Sequence, residues 1–172
     1  MQYYTFLNRI IGERRKKVMK NFEELIDLYS DMIIRIAFQI VKNQADAEDV
    51  CQEVFVKLLA NNKFQSEEHR KAWLIRVTVN KSKDLVKSSW FRNRAELTDN
   101  IAVYEDEHLH IVEEVMKLPI KYRTPIYLYY FEGYSVKEIA NILNKSQNTV
   151  LSWLNRGRKK LEYNMVGGFE NE

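Results

Sequence analysis

Glycine and proline are scarce, five and two in 172 residues. Sandwiches and barrels consume such residues at every reversal, so a turn-dense all-β chain is excluded, as are collagen-like and linker-like chains. Helices are the expectation. There is one cysteine, Cys51, which excludes an internal disulfide and a multi-thiolate metal site and ties the chain to no oxidising compartment. A reduced cytoplasm is the expected setting. The longest apolar run, residues 126–131, is far shorter than the roughly 20 residues a membrane-spanning helix needs, so no membrane insertion is expected. Arg9, Arg14, Arg15, Lys16, Lys17 and Lys20 follow short apolar pieces instead of preceding one long one, the reverse of a secretory signal. Paired acids and bases, an activated nucleophile and a metal-ligand cluster are all missing, so neither catalysis nor a cofactor is expected. His108 and His110 alternate without a cysteine or a third histidine nearby and are expected to face solvent.

What is present is a folding composition with patterned charge. With 45% hydrophobic, 12% aromatic and 30% charged residues, the chain has material for a core. The net charge of +3 conceals alternating blocks: +5 over 1–20, −5 over 21–62, +6 over 63–94, −6 over 95–118, +6 over 119–161 and −3 beyond. Two separated basic blocks suggest two polyanion-facing surfaces, because clustered cations concentrate phosphates and release their counterions. Solvated helix faces are the bland reading of each block.

In the first half, Phe22, Leu25, Ile26, Tyr29, Ile33, Ile36, Ala37 and Ile40 recur at three- and four-residue steps, predicting an amphipathic helix. A second helix is entered after Asn43, with Asp46, Glu48 and Asp49 suiting its positive end. Ala47, Val50, Val54 and Leu58 form its buried stripe, flanked by Cys51 and Phe55. Asp49, Gln52, Glu53 and Val56 share another surface. Residues 61–69 have no period and read as a loop; Ser66 is available to cap, and Phe64 is more economically read as tucked against the core than as functional. A third helix is expected over 69–88, with Ala72, Ile75, Val79 and Val86 inward. Its second stripe carries Arg70, Trp73, Arg76, Val77, Asn80, Asp84 and Lys87, with Lys81 and Lys83 at the edges. Arginine and lysine neutralise phosphates, asparagine reads adenine edges and tryptophan stacks on unpaired bases, so this face has the parts of a nucleic-acid surface. Asp84 repels phosphate and is expected to pair with Lys81 or Lys87.

Residues 91–110 lose the period and collect acids, reading as a connector. Three short helices are predicted after it, over 111–118, 125–132 and 136–143. Thr124 before Pro125 reads as a cap with proline at the first helical position, and Gly133 as a stop. Ser135 and Glu138 form a capping box. Ser146 caps a longer helix over 147–163, whose inward stripe is Val150, Leu154, Gly157 and Leu161. Asn148, Thr149, Ser152, Asn155, Arg156 and Lys159 point outward. A short helix, a tight turn and a basic polar helix make a helix-turn-helix.

Four segments carry a resemblance. Asp46-Ala-Glu-Asp-Val-Cys-Gln-Glu-Val-Phe-Val-Lys-Leu58, Trp73-Leu-Ile-Arg-Val-Thr-Val-Asn80, Leu118-Pro-Ile-Lys-Tyr-Arg123 and Tyr129-Tyr-Phe-Glu-Gly-Tyr-Ser-Val-Lys-Glu-Ile-Ala140 resemble the signatures of bacterial group IV sigma factors, the extracytoplasmic-function type of the sigma-70 family. Their order and spacing fit over about 22–162. The resemblance implies an all-α fold of two small helical domains joined by an acidic linker: a basic extension at 1–20, a polymerase-binding and minus-ten domain at 21–94, a linker at 95–110, a helix-turn-helix minus-thirty-five domain at 111–165 and a tail at 166–172. It implies that Asp49, Gln52 and Glu53 dock on the clamp helices of the β′ subunit of core RNA polymerase. Phe64, Arg70, Trp73, Arg76, Asn80, Lys81 and Lys83 are then expected at minus-ten promoter DNA, where the loop and helix open the strands and capture a flipped base. Thr149, Ser152, Asn155, Arg156, Arg158, Lys159 and Lys160 are expected at the minus-thirty-five duplex. An anti-sigma protein is an implied further partner.

The last helix departs from the family's usual Gly-Thr-Val-Lys-Ser-Arg-Leu, reading Asn148-Thr-Val-Leu-Ser-Trp-Leu154. Two cations are replaced by Leu151 and Trp153, which are expected to pack in the core or an interface. The alternative function is a conventional helix-turn-helix regulator whose first domain dimerises or senses a ligand. A dimerisation domain has no need of a basic face bearing Trp73, Arg76 and Asn80.

Overall fold

The computed structural model describes residues 2–61, 63–92 and 108–167, with side chains over 21–61, 63–88 and 111–164. Among the described residues there are seven helices and no strand: α1 (Gln2–Val41), α2 (Gln44–Ala60), α3 (Glu67–Arg92), α4 (His108–Lys117), α5 (Ile120–Tyr130), α6 (Val136–Leu143) and α7 (Gln147–Gly167). Residues 93–107 of the expected acidic connector, the side chains of the basic extension and those of His108 and His110 lie outside the described residues; the last three residues of that connector, 108–110, are instead the first turn of α4.

The helix expected to open at Phe22 already runs from Gln2. Nothing between these positions breaks it, since the one glycine, Gly12, costs only about 1 kcal/mol in a helix interior and there is no proline. Of the stripe the spacing predicts, Tyr29, Ile33, Ile36, Ala37 and Ile40 are buried and Phe22, Leu25 and Ile26 half-buried; Met32, outside that stripe, is buried as well, and each large apolar side chain fully covered contributes about 1.5–3 kcal/mol. Lys42 turns the chain with a positive φ of 58°. The side chain of Asn43 accepts from the Asp46 amide at 3.0 Å, starting α2. Ala47, Val50, Cys51, Val54, Phe55 and Leu58 then face α1, and Phe22 meets Phe55 edge-on at 6.0 Å. Ser66 caps α3 by accepting from the His69 amide at 3.2 Å. Of the stripe expected on α3, Ile75 and Val79 are buried but Ala72 and Val86 only half-buried; Leu74, Thr78 and Ser82 complete the inward face.

The second group corrects one expectation. Thr124 and Pro125 do not open a helix: α5 begins at Ile120 after Pro119, and Pro125 sits inside it. Pro119 O accepts from the Tyr122 and Arg123 amides at 2.9 and 3.0 Å, so Pro119 supplies the start. Pro125 deletes one backbone bond near that start, which α5 tolerates because Thr124, Pro125, Ile126 and Leu128 are all buried. The helix stops at Tyr130, two residues before the expected end at Glu132, and Gly133, at φ +74°, closes the turn that follows it. The capping box of Ser135 and Glu138 is complete, and Asn144, left-handed at φ 52°, reverses the chain into Ser146, which accepts from the Thr149 amide at 3.1 Å. In α7, Val150, Leu154 and Gly157 are buried. At Gly157 a Cβ would overlap the Ile126 side chain; the missing side chain lets α7 lie close on α5.

The two groups pack on each other. α5 lies against α1 and α6 against α3, and the buried residues of both groups form one continuous cluster. Polar side chains cross the seam. Gln39 donates to Thr124 Oγ1 at 3.5 Å, and both are buried. Arg123, 3% exposed, donates to Met116 O and, at 3.3 Å, to Ile40 O. Among the described residues, no helix is long and apolar enough to cross a membrane.

Candidate nucleic-acid interface

The α2 face expected to bind polymerase is open. Asp49, Gln52, Glu53 and Val56 are exposed and, with Lys57 and Lys81, line a shallow depression between α2 and α3. Lys81, expected at minus-ten DNA, donates to Glu53, so the two expected sites adjoin and share one ion pair.

The α3 face is less free than its sequence pattern implies. Trp73 is half-buried, edge-on to Phe64 at 5.4 Å, and Phe64 is also half-buried, in line with the economical reading of it. Arg70 lies 5.5 Å over the Phe64 ring and pairs with Glu67. Phe64, Arg70 and Trp73 are thus one cluster that fastens the loop to the start of α3. Arg76 is committed across the seam, its Nε donating to Ile142 O at 3.0 Å and its Nη2 to Asn141 O. Asn80 stands exposed. Lys83 is half-buried, and its pKa is lowered first by that burial and then by the nearby charges of Lys145 and Lys87. Asp84 pairs with Lys87 at 3.8 Å, as expected.

On α7 the outward residues divide. Asn148, Asn155, Arg156, Arg158, Lys159 and Lys160 are exposed, whereas Thr149 and Ser152 are half-buried. Thr149 Oγ1 lies 2.8 Å from Ser146 Oγ, so this side chain belongs to the cap as much as to the surface. Leu151 does not pack as expected. It is 49% exposed, because its angular position falls beyond the Val150, Leu154 and Gly157 stripe that α5 and α6 cover. Trp153 is half-buried.

Sequence reasoning missed two contributors at the seam. Lys71 lies 5.4 Å over the Tyr134 ring, and Arg35 Nε donates to Glu132 Oε1 at 3.2 Å. Neither has a local sequence signal, since each partner is more than 60 residues away.

Two family models match in the order these units occur: Sigma-70 region 2 over residues 25–92 and Sigma-70, region 4 over 109–161. The ECF RNA polymerase sigma factor SigW of Bacillus subtilis is 30% identical across 90% of this chain and 96% of its own length. The RNA polymerase sigma factor SigV of the same organism is 30% identical across 77% of this chain and 83% of its own length. Among solved structures, the sigma factor RpoE in complex with the anti-sigma factor NepR from Bartonella quintana shares the fold at TM-score 0.70 and 19% identity, covering 83% of this chain and 95% of that one. CnrH in complex with the cytosolic domain of CnrY does so at TM-score 0.66 and 24% identity, covering 87% and 90%. The chain belongs to the sigma-70 family and is an extracytoplasmic-function type sigma factor, a promoter-recognising subunit for transcription initiation. This disfavours the conventional-regulator alternative.

Proposed function

We propose that the chain divides promoter recognition between its two helical groups without any catalytic chemistry of its own. The first group, within 21–94, docks on the β′ clamp helices of core RNA polymerase through Asp49, Gln52 and Glu53. Its α3 face takes the minus-ten strands, with Asn80 reading a base and Lys81 and Lys83 holding phosphates. Phe64, Arg70 and Trp73 position residues 63–66 of the loop beside them. The second group, within 111–165, reads minus-thirty-five duplex DNA: Ser152, Asn155 and Arg156 reach base edges, and Arg158, Lys159 and Lys160 hold phosphates. Thr149 steadies the turn. An anti-sigma protein is a further partner, by analogy with the two solved complexes, and the setting is the cytoplasm, where the polymerase acts.

The observation that carries this reading is α7 itself. Behind a double-capped tight turn, its outer side presents Asn148, Asn155, Arg156, Arg158, Lys159 and Lys160 to solvent, the polar and basic face a major-groove helix needs. The test is transcription from a promoter library with purified core polymerase, with and without the chain, followed by permanganate mapping. Asn80→Ala should reduce strand opening while leaving polymerase binding intact. Normal opening by that variant would remove Asn80 from base capture.

A further inference from the structure

Residues 2–20 precede the segment that matches region 2, which begins at residue 25, yet α1 runs through them without a break. Successive residues of an α-helix are about 100° apart. On that wheel the positions of Tyr3, Tyr4, Phe6, Leu7, Ile10 and Ile11 share one arc of about 160°. Gln2, Thr5, Asn8, Arg9, Gly12 and Glu13 take the rest, and no residue of either set falls among the other. Arg14-Arg-Lys-Lys17 follows at once, with Lys20 close behind. Residues 1–20 thus carry six cations against one acid, Glu13.

The neighbouring helices do not accompany this end of α1. Phe22 meets Phe55, and the 20 residues of α1 from Gln2 to Asn21, about 30 Å of helix, still precede that contact. Helix α2 runs back along α1 after a tight turn and has only Val56 to Ala60 left beyond Phe55, about 8 Å. Helix α3 then reverses again, as the contact of Lys81 with Glu53 shows, and leads away from the start of α1. Helix α5 meets α1 near its other end, at Arg35 and Gln39.

Whatever covers the apolar arc must match both halves of its chemistry. Duplex DNA offers phosphates to the cations but nothing in which Phe6, Leu7, Ile10 and Ile11 are buried. A second copy of the chain offers an apolar arc but brings six more cations and one acid to answer them. An anionic bilayer surface offers both, with a boundary layer that favours tyrosine. The order along the axis fits it as well: apolar positions, then the basic run, then the −5 block over 21–62, which an anionic surface repels. The buried stripe of α1 adjoins the same side of the wheel as the apolar arc, so α2 and α3 would collide with a membrane on which α1 lay flat. Oblique entry keeps them clear.

We propose that residues 2–20 of α1 form an anionic-lipid-binding helix that holds the sigma factor at a membrane surface without crossing the bilayer. Its first three turns enter the acyl boundary, Arg14 to Lys20 sit at the level of the lipid phosphates, and the acidic body stands in water. The site is independent of the promoter reading above.

The experiment floats the full chain with vesicles of phosphatidylcholine alone or mixed equally with phosphatidylglycerol. Binding to the mixed vesicles should exceed binding to the neutral ones by at least about tenfold and should weaken as salt is added. Each cation beside an anionic surface is worth about fivefold. Arg14→Gln/Arg15→Gln/Lys16→Gln/Lys17→Gln should therefore lower binding more than about a hundredfold. Two uncharged pairs separate the arcs. Phe6→Gln/Ile10→Gln should lower binding at least about thirtyfold, and Thr5→Gln/Asn8→Gln should change it less than about twofold. No binding to either vesicle, equal binding to both, or equal losses in the two pairs overturns the proposal. So does a dimer in sedimentation equilibrium that Phe6→Gln/Ile10→Gln dissociates, or a lowered thermal midpoint in that variant, since each gives the arc a different cover. If the four-glutamine variant loses promoter affinity while its vesicle binding is unchanged, the basic run is a DNA arm and the proposal fails.

Discussion

Gly157 and Ile126 meet where α7 crosses α5, and a Cβ at residue 157 would overlap the buried isoleucine. Gly157→Val should therefore cost about 2–3 kcal/mol by overpacking, seen as a lower thermal midpoint by circular dichroism. An unchanged midpoint would mean that α7 lifts off α5 freely. Cys51 is buried, and burial is the main cause that pushes its thiol up to about 11. The thiolate is the reactive form, so Cys51 should resist iodoacetamide at pH 8 in the native chain and react on unfolding. Leu151 was legible as a departure from the family but not in its placement: whether an apolar residue beside a buried stripe is covered depends on which helix lies over it. Exposed on α7, it suits the methyl group of a thymine. Replacing that thymine by deoxyuridine should weaken binding by the unaltered chain about fourfold, the value of one methyl-sized contact, and leave Leu151→Ala unaffected. Equal losses in both proteins would place Leu151 away from the base.

At the scale of elements, local chemistry was readable wherever it decided the outcome. The Asn43, Ser66, Ser135 and Ser146 caps act within three residues of their partners, and each was visible in the sequence or adjacent to the expected start. Losing such a cap costs about 1 kcal/mol, so Ser135→Ala should lower stability by about that amount. Glu138 adds a pH signature. Its carboxylate accepts from the Ser135 hydroxyl and amide at 2.6 and 2.8 Å, bonds that hold its pKa below the ordinary value. A carboxyl lowered in the folded state stabilises above its unfolded pKa of about 4.3 and loses that contribution as pH falls through the folded value. Glu138→Gln should flatten the acid limb of the stability profile, measured by urea titration at several pH values between neutral and about 3. An identical limb in both proteins would show that the box is idle. The start of α5 departs from its local signal because two prolines compete for it. Thr124-Pro125 has the better local signature, yet Thr124 is buried against Gln39, and a side chain spent on tertiary contact cannot cap.

Across the whole molecule, the alternating charge blocks suggested two anion-facing surfaces but not their mutual contact. Amphipathic periods say which side of a helix is covered, not by what. The covering of α1 by α5 and of α3 by α6 depends on partners such as Arg123 with Ile40 and Arg76 with Ile142, which have no periodicity to read. The continuous core that results has a thermodynamic consequence. Were the groups independent, removing a core side chain from one would leave the other's protection unchanged. With a shared core, part of the loss is felt in both. Leu154, 4% exposed in α7, is suited to the test, since Leu→Ala in a core costs about 2–5 kcal/mol. Leu154→Ala should accelerate amide exchange at buried α2 positions such as Val50 and Val54 as well as in α7, because the α2 core rests on α1, and α1 loses the support of α5. The coupling should also vanish once the seam is parted. In the Arg35→Glu/Arg76→Glu background, Leu154→Ala should destabilise α5 to α7 and leave α2 exchange as it was. Faster exchange confined to α7 in the unaltered background would show that the two groups fold and unfold separately, whatever their contact in the native state.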